Sequence, residues 1–207
     1  KGVDCQPVYS PEMNWLAWTS MKRAGFEADK KDLILFNRKT GEMKNLTEDF
    51  KFSVDEFIYS PDSKTIYFTA GNEINNLIYK LDVNNDEIDL FHKDNYNTGI
   101  QISKDGKTLY FLKQRSDLPS EIFSQSTDGK NTLKRITFTN DEILSKLEMN
   151  SVETFWCEGA NGDKFQSILV KPPFFDPSKK YPMMFLIHGG PQGAWEDNFH
   201  YRWNLQM

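Results

Sequence analysis

The sequence is short of several things, and each shortage excludes a class of protein. Only 2 of its 207 residues are cysteine, Cys5 and Cys157, far apart and without CxxC spacing. That argues against a disulfide framework and a cysteine-based metal site, and both thiols are expected to stay unpaired. An excess of positive charge is also missing: 30 acidic side chains face 25 basic ones, giving a net charge of −5 without long runs of either sign. Phosphate binding needs a basic face, so nucleic acid is not expected as a partner. The longest uninterrupted apolar run is Met183 to Ile187, far short of the roughly 20 residues that cross a bilayer as a helix, so no membrane span is expected. No Gly-x-Ser-x-Gly occurs, so the strained elbow that presents a nucleophilic serine is missing. The chain opens on Lys1, with neither Met nor secretory signal. The natural start is therefore expected upstream, and compartment is not legible from this end. Aromatics are not scarce: at 14% they exclude a disordered chain.

What is present first is repetition. Tyr9-Ser10-Pro11-Glu12-Met13-Asn14-Trp15-Leu16-Ala17-Trp18 parallels Tyr59-Ser60-Pro61-Asp62-Ser63-Lys64-Thr65-Ile66-Tyr67-Phe68, and Ile102 to Phe111 is a third copy. The closing aromatic, Trp18, Phe68 or Phe111, falls eight residues after the serine each time, and the serines are 50 and 43 residues apart. A second apolar strand follows in each unit, at Leu33–Phe36, Leu77–Leu81 and Glu121–Phe123, then a polar turn and a short strand near Leu46, Leu90 and Ile136. Four short strands per repeat of this length is the pattern of a propeller blade, whose two apolar faces must be covered by neighbours. Three blades do not close a ring, so the repeats predict the C-terminal part of a larger β-propeller; an open β-sandwich is the alternative.

The Ser-Pro-Asp and Ser-Lys-Asp-Gly segments read as tight turns capped by serine rather than as a nucleophile or a calcium loop. Asn84-Asn85-Asp86-Glu87 reads as a solvated hairpin tip, and Asn45-Leu46-Thr47 as a strand end that happens to match a glycosylation sequon. No metal site and no cofactor are expected.

The composition changes after Asn140. Asp141 to Met149 is a connector, followed by strands at Val152–Cys157 and Phe165–Val170 around a glycine-bearing hairpin turn. Lys171-Pro172-Pro173 ends the second of these. Met183 to Ile187 has no alternation and is expected as a strand buried on both faces. It runs into His188-Gly189-Gly190-Pro191-Gln192-Gly193, a turn that can present backbone N–H groups to an oxyanion. Aromatics at 195, 199 and 203 predict one face of a helix starting near Phe199. The division is therefore residues 1–148 as propeller and 149–207 as the first strands of an α/β domain, in a mainly β chain.

Propeller units, a hairpin, Lys-Pro-Pro, Lys-Lys-Tyr-Pro and His-Gly-Gly-Pro-Gln-Gly-Ala-Trp together resemble the prolyl oligopeptidase family of serine peptidases, specifically so from Lys171 to Trp203. The nearest branches are the acylaminoacyl peptidases and dipeptidyl peptidase V-like enzymes. The resemblance implies a propeller capping an α/β-hydrolase domain with the active site between them. It implies that Gly190, with Gly189, supplies an oxyanion-hole backbone N–H, and that His188 is a structural member of the turn rather than the catalytic histidine. It places the triad beyond Met207, so this fragment alone is expected to be inactive. Trp195 and Trp203 become candidates for the substrate pocket wall; His92 and His200 are read as structural. The implied activity is a periplasmic or secreted serine exopeptidase acting near the N-terminus of oligopeptides; a cytoplasmic location and a homodimer of the intact protein stay open. A propeller-type binding module without catalysis and a propeller-capped esterase are the alternatives.

Overall fold

The computed structural model describes residues 2–130, 132–190 and 193–206. Its strands are β1 (Asp4–Tyr9), β2 (Trp15–Ser20), β3 (Asp32–Asn37), β4 (Met43–Asn45), β5 (Phe57–Tyr59), β6 (Thr65–Asn72), β7 (Asn75–Asp82), β8 (Ile88–His92), β9 (Tyr96–Ile102), β10 (Thr108–Arg115), β11 (Leu118–Ser126), β12 (Lys134–Arg135), β13 (Glu153–Glu158) and β14 (Lys164–Leu169). One short helix, α1 (Asp141–Leu144), comes after β12. The chain is mainly β.

Strands β1 to β12 form three successive antiparallel meanders of four strands, β1–β4, β5–β8 and β9–β12. The second and third are joined through one parallel bridge, Asn76 to Tyr96. The expected repeat is thus a repeat of structure, and its serine turns are built alike. Ser60 Oγ accepts the Thr65 N–H at 2.9 Å and donates to Asp62 Oδ1 at 2.6 Å. Ser103 does the same with Thr108 and Asp105 at 3.0 and 2.6 Å. Ser10 keeps the first of these bonds, accepting from Trp15 N–H at 3.1 Å. These serines close turns, as residue chemistry predicts.

The middle meander is buried on both faces, which explains why its strands read as continuous apolar runs. Along β6, Ile66, Phe68 and Ala70 pack toward the first meander with Leu33, Leu35 and Ala17. Tyr67, one residue out of phase, packs the other way with Ile78 of β7 and with Ile100, Leu109 and Phe111 of the third. A strand's side chains alternate faces, so this one strand feeds two cores. The outer face of the third meander is open: Tyr110, Leu112 and Ile122 are all more than a third exposed.

Buried polar groups lock these layers. Thr47 Oγ1 accepts the Leu33 N–H at 2.8 Å and Asn45 donates to Asp32 at 3.0 Å, a structural use of the sequon-like segment. Lys30 Nζ donates to the carbonyls of Thr47, Glu48 and Phe50 and pairs with Asp32 at 2.7 Å. Between the second and third meanders, His92 Nδ1 meets Gln125 Oε1 at 2.9 Å and Lys113 Nζ meets His92 Nε2 at 3.3 Å. Glu121, fully buried, accepts from Thr137 and pairs with Arg135, which also binds Asp141. That network ties the third meander to the start of the connector.

Beyond the connector, β13 and β14 form the expected hairpin, paired from Glu153↔Leu169 to Glu158↔Lys164. Asn161 (φ 61°) and Gly162 (φ 81°) turn the chain between them. Both cysteines are free.

Two expectations fail here. Met183–Ile187 belongs to none of the sheets and is half to four-fifths exposed rather than buried on both faces. A strand's backbone groups must bond to neighbours, and among the described residues no strand lies beside this segment. Nor does a helix start near Phe199. His200 Nδ1 accepts the N–H groups of Arg202 and Trp203 at 3.2 and 3.0 Å, and Asn204 Oδ1 accepts that of Gln206 at 2.8 Å. Such side-chain bonds compete with the helical ladder, and the Gln206 side chain is further drawn to the Asn150 carbonyl at 2.7 Å. His200 is therefore a turn residue and not a helix-surface one.

Candidate active-site turn

The glycine turn sits between the unpaired Met183–Ile187 segment and a tightly held one. Gly190 has φ 137°, a conformation that excludes most side chains. A Cβ on Gly189 would meet no atom within 4 Å among the described residues. His188 is exposed and its Nδ1 lies 3.0 Å from the Gly189 carbonyl, where N–H donation closes the turn on itself. Pro191 and Gln192, the rest of the motif, lie outside the described residues. Chemically the turn offers backbone N–H groups on an exposed surface; it offers no nucleophile.

The segment after the turn is bound to the tips of two hairpins. Asp197 is buried; its Oδ1 accepts the Ser116 N–H at 2.8 Å and its own N–H donates to the Ile74 carbonyl at 2.8 Å. Phe199 N–H donates to Gln114 Oε1 at 3.2 Å. Ile74 lies in the β6–β7 turn, and Gln114 and Ser116 at the β10–β11 turn. From the other side Gln166 of β14 donates to Glu73 at 3.1 Å, so the β6–β7 tip meets both the hairpin and the post-turn segment.

Beside this contact lies a group of carboxylates. Burial pushes the Glu196 carboxyl up, a hydrogen bond from Tyr96 opposes it, and the charge of Asp55 adds to it. Burial raises Asp55 and Glu56 as well, against the Lys31 charge for Asp55 and against the Ile100 and Gly99 N–H groups for Glu56. The Tyr96 hydroxyl is pushed far up by burial and then by Glu196. Among the described residues no three His, Cys, Asp or Glu side chains are grouped to hold a metal ion.

Of the two tryptophans expected in a pocket wall, Trp195 is half-buried with Nε1 enclosed and unpartnered. Trp203 is 57% exposed, its ring under the Arg202 guanidinium at 4.9 Å. Among the described residues no hydrogen bond joins either to the glycine turn. Asp197, Ser116, Gln114 and Ile74 escaped sequence reading. Their partners are 81 or more residues away, and the only trace was an acidic pair between aromatics, Glu196-Asp197.

Comparison with known proteins places this arrangement. No family model matches the chain. It is 29% identical over 207 residues to a dipeptidyl-peptidase 5 of Porphyromonas gingivalis, covering all of this chain and 30% of that protein. A probable dipeptidyl-peptidase 5 of Arthroderma benhamiae is 28% identical and is covered to 29%. The chain thus spans about 30% of the length of the curated relatives it matches. Among solved structures, the Pyrococcus horikoshii acylaminoacyl peptidase superposes over 93% of this chain with a TM-score of 0.74 at 21% identity, covering 29% of that chain. These relationships bear out the resemblance to the prolyl oligopeptidase family. Among the described residues no helix is long and apolar enough to cross a membrane.

Proposed function

We propose that the chain is part of a serine exopeptidase that removes residues from the N-terminus of oligopeptides by acyl-enzyme chemistry. The observation that carries this is co-linearity. Three four-stranded meanders, a hairpin, and a glycine turn with Gly190 at φ 137° succeed one another, and the whole succession aligns with a dipeptidyl-peptidase 5. In this reading residues 1–148 are the C-terminal blades of a propeller, the exposed faces of the outer meanders being covered by further blades. Residues 149–207 begin an α/β-hydrolase domain in which Met183–Ile187 gains strands on either side. A free-standing binding propeller has no use for the second part, which disfavours that alternative.

The chemistry rests on what the chain supplies and what it leaves to others. A serine attacks the peptide carbonyl, and a histidine outside this chain takes its proton and returns it to the leaving amine. The Gly190 N–H, with Gly189 keeping the approach open, holds the negative oxygen of the tetrahedral intermediate; His188 shapes the turn. Trp195 lines the wall of the site and Trp203 its outer rim. Location in the periplasm or outside the cell belongs to the same reading.

The test is product analysis. The full-length protein, incubated with unblocked oligopeptides, is expected to release N-terminal dipeptides, identified by mass spectrometry and abolished by a fluorophosphonate. Release of acylated single residues from N-blocked peptides alone would move it to the acylaminoacyl branch. Hydrolysis of simple esters but no peptide would make it an esterase.

A further inference from the structure

The glycine turn is poorly held by its own contacts. Among the described residues His188 to Gly190 make one hydrogen bond, from His188 to the adjacent Gly189 carbonyl, and all three are exposed. The Met183–Ile187 segment before them is unpaired. An oxyanion donor, however, must be held within about 0.5 Å of its working position. The first firm anchorage lies seven residues after Gly190, where Asp197 is fastened through both side chain and backbone to two separate hairpin tips.

We propose that Asp197 is a positioning residue: its buried carboxylate clamps the post-turn segment to the β6–β7 and β10–β11 tips, and so aims the Gly190 N–H. This rests on the oxyanion reading of Gly190 and extends it. Asp197 donates one of these hydrogen bonds, to the Ile74 carbonyl, and accepts the other, from the Ser116 N–H, so drawing the segment away from either tip breaks a bond. Phe199 N–H on Gln114 fixes the segment two residues further on, and Trp195, two residues before Asp197, is half-buried. The consequence is that the β-rich region does more than enclose a site. It holds one wall of the catalytic apparatus in register, through a single carboxylate and two turns.

The experiment uses the full-length protein. Asp197→Ala removes the acceptor and leaves the Ser116 N–H unpaired; Asp197→Asn retains an oxygen at the same place. Misplacement of a catalytic group by about 1 Å costs on the order of a hundredfold. Asp197→Ala is therefore expected to lower kcat and the rate of fluorophosphonate labelling by about tenfold to a hundredfold, with KM within about twofold, and Asp197→Asn to restore most of the loss. A kcat for Asp197→Ala within about twofold of wild type, or Asn as damaging as Ala, overturns the clamp. If Asp197→Ala does not fold, Ser116→Pro removes the donor from the opposite side and is read by the same criteria. Gly190→Pro is measured in parallel: if it keeps native kcat, the oxyanion reading itself falls, whereas its collapse beside an unaffected Asp197→Ala refutes the clamp alone.

Discussion

Gly190 carries the most specific demand of any single residue, because the role proposed for it requires a backbone N–H and a backbone angle at once. Replacing the Gly189–Gly190 amide by an ester removes the donor without adding a side chain, at the cost of a weaker Gly189 carbonyl acceptor for His188. Losing one such donor typically lowers kcat by about 10²–10³, or roughly 3–4 kcal/mol of transition-state stabilisation. We expect the ester variant of the full-length protein to fall in that range with its melting temperature close to wild type. Gly190→Ala keeps the N–H but strains φ 137°, so it should lose less activity and more stability. An ester variant with near-native kcat would remove Gly190 from the mechanism. At this scale the sequence was legible where meaning is local: a glycine turn, serine-capped turns, a hairpin. It was silent on Asp197, whose importance comes from Ser116 and Ile74, and no local pattern marks a contact across 81 residues.

Among elements, the repeat was the most legible feature, because a strand buried on both faces needs apolar residues at odd and even positions, as in β6. The elements misread from sequence share one cause. Met183–Ile187 and the aromatics at 195, 199 and 203 carry patterns whose meaning depends on neighbours, and those patterns did not specify what the neighbours would be. The seam between the second and third meanders yields a prediction of its own. Burial holds the His92 imidazole below its ordinary pKa, and the adjacent Lys113 ammonium adds to this; Gln125 and Asp94 pull the other way. The folded state thus prefers neutral His92 while the unfolded chain protonates near about 6.5. Stability from this group is complete above that value and is lost as pH falls below it, toward the lower folded pKa. Chemical denaturation between about pH 7.5 and 5 should show that decline in the full-length protein. His92→Gln, which cannot be protonated, should flatten it, even as the raised carboxyls of Asp55, Glu56 and Glu196 push stability the opposite way. An identical slope in both proteins would mean that the seam does not titrate.

For the molecule as a whole, labour is divided between the β-rich region and the residues after it. The first part is folded around two cores of its own and presents hairpin tips. The second part presents a glycine turn and, in the proposed reading, an unfinished sheet, with Asp197, Phe199 and Gln166 fastening it to the hairpin tips of the first. In the proposed reading, exposed apolar residues such as Met183 to Ile187 and Tyr110, Leu112 and Ile122 are surfaces that further strands and blades would cover. The most direct test is to label the full-length protein with a fluorophosphonate and to map the modified residue by mass spectrometry, with residues 1–207 alone as the comparison. A serine peptidase built in this way should yield one labelled serine outside residues 1–207, labelling slowed when the Gly190 N–H is removed, and no specific labelling of residues 1–207 alone. A labelled serine within residues 1–207, or peptide hydrolysis by the full-length protein that the probe never blocks, would contradict it.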